Sequence, residues 1–64
     1  MSRWKRYGVI VVLHSTDHAS RHVHVFENGQ RRLKFDIENW QVMEGKMTAK
    51  AKKALISLRE EGVL

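Results

Sequence analysis

The stretch Arg21-His22-Val23-His24-Val25-Phe26-Glu27-Asn28-Gly29-Gln30-Arg31-Arg32-Leu33-Lys34-Phe35-Asp36-Ile37 decides the fold. Imidazole and valine alternate ahead of Asn28-Gly29, and charged residues alternate with Leu33, Phe35 and Ile37 behind it. A period of two on either side of Asn-Gly is the signature of a β-hairpin. Strands are therefore expected over Arg21 to Phe26 and Gln30 to Ile37.

Asn-Gly permits two registers, and a slip of one residue turns every side chain to the other face. A two-residue loop pairs His24 with Leu33 and His22 with Phe35, which mixes imidazoles with the apolar set. A three-residue loop, Glu27-Asn28-Gly29 with Gly29 left-handed in a bulge, sets Val23 against Leu33. It gathers Val23, Val25, Leu33, Phe35 and Ile37 on one face and leaves His22, His24, Phe26, Arg32, Lys34 and Asp36 on the other. The second register is expected, because it builds a core face. Its cost is one aromatic, Phe26, on the polar side.

Upstream, Gly8 to His14 carries Val9-Ile10-Val11-Val12-Leu13, a strand apolar on both faces. Such a strand calls for cover on both sides, from the N-terminal residues or from a second copy of the chain. Residues 1–6 are basic and aromatic and read as an arm leading into it. Ser15 to Ser20 reads as a polar loop. Downstream, Glu38-Asn39 marks a turn, Trp40 to Met43 a short further strand, and Gly45 its end. From Thr48 the period becomes helical, with Ala51, Ala54, Leu55 and Leu58 on one face and Gly62 as the stop. The expected helix covers 48–61. The predicted class is α+β: an antiparallel sheet of three to four strands followed by one C-terminal helix packed on one face.

At 64 residues the chain makes one small domain. A body this size buries only about 60% of its unfolded surface. There is no cysteine, so disulfides and thiolate zinc sites are excluded, which fits a cytoplasmic setting. No apolar run approaches the roughly 18 residues of a membrane span. The net charge of +5 directs the expectation to acidic partners, with nucleic acid ahead of an acidic protein.

All four histidines fall between residues 14 and 24. On a strand, His22 and His24 share a face with rings roughly 7 Å apart along the chain. Arg21, Arg32 and Lys34 lie close by, and cations favour a phosphodiester over a metal ion. Phe26 is available to stack on a base. Lys46, Lys50, Lys52 and Lys53 crowd the helix start while Glu60 and Glu61 sit at its end, the reverse of what the helix dipole prefers. An anion docking at that N-terminus would account for the lysines.

The expected RNA-contacting set is Arg21, Arg32, Lys34, Phe26, Lys46, Lys50 and Lys53. His22, His24 and His18 are candidate catalytic residues for metal-independent RNA cleavage, one imidazole as base and another as acid. The alternative is a zinc or other divalent transition-metal module using His22, His24, His18 and Asp17. A third reading is a homodimeric partner-binding protein joined through the first strand.

Several of these segments together resemble a known family. They are Tyr7-Gly8, Val9 to Leu13, Ser15-Thr16-Asp17-His18, His22-Val23-His24-Val25, Phe35-Asp36-Ile37 and Val42-Met43-Glu44-Gly45-Lys46 before the lysine-rich helix. The family is the small bacterial domain of unknown function 4160 family, and the resemblance covers nearly the whole chain. That family usually carries prolines just before the His-x-His pair and often one near the helix start. Here Ala19-Ser20-Arg21 and Met47-Thr48-Ala49 stand instead, and the chain has no proline. The resemblance implies a compact bacterial protein from a toxin–antitoxin-like gene pair with a cognate partner. It transfers no catalytic residue.

Overall fold

The structure is a computed structural model that describes residues 2–13 and 21–64. Five strands follow one another as a meander: β1 (Ser2–Arg6), β2 (Val9–Leu13), β3 (His22–Glu27), β4 (Gln30–Asp36) and β5 (Gln41–Gly45). Each pairs antiparallel with its neighbours in the chain, and α1 (Ala49–Glu60) follows. The class is as expected, but the sheet has five strands rather than three to four.

The extra strand comes from the N-terminal residues expected to form an arm. Tyr7 and Gly8 both take left-handed backbone, with φ of 54° and 80°, and close a tight turn that sets Arg6 opposite Val9. Two left-handed residues in a row match the twist of the flanking strands. The apolar strand Val9–Leu13 is therefore β2, with β1 on one edge and β3 on the other. Both of its edges are paired within the chain.

The central hairpin combines features of both expected registers. Asn28 and Gly29 are left-handed (φ 55° and 77°) and form the two-residue loop, with Glu27 opposite Gln30 and Phe26 opposite Arg31. The ladder then shifts, and Val25 faces Leu33. Arg32 is the extra residue of a β-bulge on β4. From there Val23 opposes Phe35, His24 opposes Lys34, and His22 opposes Asp36. Apart from Arg32, the expected faces thus form without the expected three-residue loop, and Val23 meets Phe35 rather than Leu33. Asn-Gly selects the tight turn, and the hydrophobic pattern corrects the parity after two residue pairs.

One face of the sheet holds Val9, Val11, Val23, Val25, Leu33 and Phe35, packed under Ala51, Ala54, Leu55 and Leu58 of α1. All of these are at most 2% exposed. Thr48 caps the helix, its Oγ1 accepting from Ala51 N at 3.1 Å. At the other end Gly62 N donates to the Arg59 carbonyl at 3.0 Å and Val63 N to the Leu58 carbonyl at 3.1 Å. This paired closure satisfies carbonyls the helix cannot. Gly45 (φ 82°) lies so close to β4 that an added Cβ would collide with the Arg32 carbonyl oxygen and approach Leu33 Cα to 2.9 Å. No other residue type fits there.

Candidate nucleic-acid interface on the open sheet face

Among the described residues, α1 covers one face of the sheet and no other element covers the opposite one. Directly opposed residues of antiparallel strands share a face. The register therefore defines rows that cross the open side. One runs Arg3, Val12, His24, Lys34, Glu44 from β1 to β5. A second runs Lys5, Ile10, Phe26, Arg31. His22, Asp36 and Gln41 make a third. The middle of this face is apolar and aromatic, and its flanks on β1 and β4 are cationic.

The alternation of β3 lines up three rings. His22 and His24 have centroids 5.4 Å apart with planes at 82°, and His24 and Phe26 are 6.5 Å apart at 46°. All three residues are half-buried. Arg31 Nη1 lies 3.4 Å from His24 Nδ1 and 3.5 Å from Glu44 Oε2. A guanidinium only donates, so this contact is a hydrogen bond with Nδ1 as its acceptor.

Asp36, at the end of β4, is 5% exposed and is committed to the following turn. Its Oδ1 accepts from Glu38 N (2.9 Å) and Asn39 N (3.1 Å), and its Oδ2 from Asn39 Nδ2 (2.9 Å). The Asn39 side-chain bond, the two backbone bonds and the nearby His22 hold its carboxyl below the usual carboxylate range, against the opposing effect of burial. Asp36 shapes the β4–β5 turn and faces His22 as a fixed partner.

The expected contact set divides between the two sides of the sheet. His22, His24, Phe26 and Lys34 come together on the open face, with Arg21 exposed just ahead of β3. Arg32 does not join them. Its Nε lies 3.8 Å from Glu27 Oε1, while Glu27 Oε2 is 3.5 Å from Lys50 Nζ on the helix. The bulge turns Arg32 toward the helix side and gives its expected place to Arg31. Lys53 lines a shallow hollow of about 370 Å³ with Tyr7, Ile56, Ser57 and Glu60, and Lys46 is exposed between β5 and α1. His14, Asp17 and His18 lie outside the described residues.

Arg3, Lys5 and Arg31 are the cations sequence reasoning missed. The alternation of Arg3 and Lys5 around Trp4 carried the signal for the first two, since Trp4 packs against the core. The reversed helix charges have tertiary partners. Glu61 meets Arg6 at 2.9 Å and accepts from Ser57 Oγ at 3.2 Å, and Lys50 meets Glu27. These contacts account for part of the pattern without a docked anion.

Among the described residues no group of three side chains that could hold a metal ion gathers, and none of the helices is long and apolar enough to cross a membrane. No curated protein and no solved structure matches the chain. The family described as Domain of unknown function (DUF4160) matches residues 8–62, and the chain belongs to it.

Proposed function

We propose that this protein binds RNA through the open sheet face. The observation that carries the reading is the placement of Arg3, Lys5, Arg31 and Lys34 around His22 and His24 on a face that no described element covers. The net charge of +5 supplies the long-range attraction, and the cations supply the contacts to phosphate. Binding of this kind releases counterions, so affinity falls steeply with salt. Three or four phosphate contacts to a single strand correspond to a slope of log K on log salt of roughly −2 to −3.

Fluorescence anisotropy of a labelled RNA from 50 to 300 mM salt tests this. The expected result is salt-sensitive binding that weakens several-fold in Arg3→Glu and Lys34→Glu. Absence of salt-sensitive binding overturns the proposal.

The imidazole pair gives the same site a second reading, as a metal-independent ribonuclease. Two rings 5.4 Å apart beside cations have the parts for transesterification. One imidazole takes the proton of the ribose 2′-hydroxyl as the 2′-oxygen bonds to phosphorus, and the other, as imidazolium, gives a proton to the departing 5′-oxygen. The products are a 2′,3′-cyclic phosphate and a 5′-hydroxyl end. Their formation in the presence of a chelator, and its loss in His24→Ala, is the expected result, and intact RNA after prolonged incubation counts against it.

A further inference from the structure

Resting on the RNA reading, we infer that the open face takes unpaired nucleotides, and that Phe26 is the platform on which a base stacks. The first ground is spacing. Bases in a duplex follow one another at about 3.4 Å along each strand. The rings of His22, His24 and Phe26 are 5.4 and 6.5 Å apart, so successive rings meet successive bases only where those bases are spread. A duplex also hides its base faces, and the deep, narrow major groove of A-form RNA does not admit side chains that would read them.

The second ground is ring orientation. The two imidazole planes stand at 82°, so they cannot both lie flat on parallel bases. Phe26 has no polar edge, and it belongs to the row that includes Ile10 of β2 and Lys5 of β1. Ile10 and Phe26 are both half-buried, an apolar floor left on the face the helix does not cover. A base covers such a floor with its π-face while its phosphates reach cations beside it.

The third ground is the position of those cations. Arg3 and Lys5 on β1 flank the ring column on one side, and Arg31 and Lys34 on β4 flank it on the other. A single strand threading over β3 has positive charge on both banks. The footprint is two to three nucleotides, set by a column of three rings.

The test compares a labelled eight-nucleotide single-stranded RNA with the same strand annealed to its complement as a blunt duplex, using the whole chain. The expected result is about tenfold tighter binding of the single strand, with affinity levelling off above three or four nucleotides of length. Phe26→Leu keeps the apolar bulk without the π-face and should lose most of that preference, while Phe26→Tyr keeps it. Circular dichroism shows whether each variant is folded. Duplex binding as tight as single-strand binding, with Phe26→Leu unchanged, overturns this inference and leaves RNA binding standing. Salt-sensitive binding to neither RNA overturns both.

Discussion

Asp36 joins fold stability to pH through a single carboxylate. Its two oxygens accept three hydrogen bonds from Glu38 and Asn39, and those bonds lower its folded pKa. The unfolded chain, with an ordinary carboxylate, binds more protons in the window between the two values. Stability therefore rises with pH there. It is fully present above the usual carboxylate pKa of about 4 and is lost as pH falls through the lower folded value. Glu61, held low by Arg6, works in the same direction at a more exposed site and contributes less. Urea denaturation from pH 7 to pH 2.5 should show Asp36→Asn less stable than the parent at neutrality and less sensitive to acid. Parallel pH profiles for the two proteins would remove Asp36 from this role.

At the scale of elements, the β3–β4 hairpin reconciles two demands that no single straight register meets. Asn28-Gly29 calls for a two-residue loop, and Val23, Val25, Leu33 and Phe35 call for a common face. Arg32 absorbs the conflict as the extra residue. Deleting it leaves Arg31 opposite Phe26 and brings Leu33 into line with Val25, the pairing already present. The Arg32 deletion should therefore fold cooperatively and stay within about 2 kcal/mol of the parent, a modest effect by the scale of single changes. An unfolded deletion variant would mean that the local twist of the bulge is indispensable.

The same hairpin shows what a sequence carries and what it withholds. The core face was legible from its alternation, and the helix from Thr48, its apolar stripe and Gly62, because these signals are local and periodic. The bulge was not, since two arginines in a row do not announce which one is extra. Tyr7-Gly8 gives no turn signal of its own, because tyrosine has no preference for left-handed backbone, and β1 therefore reads as an arm. The alternation of β3 sets His22 and His24 on one face, whereas the neighbouring cations on β1 depend on a pairing that only the turn reveals.

For the whole molecule, a thin one-helix core means that RNA bound as proposed, on the face no described element covers, would change stability. A ligand that binds the native state alone stabilises it by about 2.7 kcal/mol at a concentration one hundred times its Kd. In a domain of this size each kcal/mol moves the thermal midpoint by about 4–8 °C. Saturating single-stranded RNA should then raise Tm by roughly 10–20 °C at low salt, and the gain should shrink as salt weakens binding. Lys34→Glu should reduce the RNA-dependent gain, because it inserts an anion into the row that joins Arg3 to His24. Lys53→Glu, on the helix side beside Tyr7 and Ile56, changes net charge equally without touching that face. The two variants separate local contact from general attraction. Equal losses in both would assign the effect to net charge, and a loss confined to Lys34→Glu would assign it to the open face.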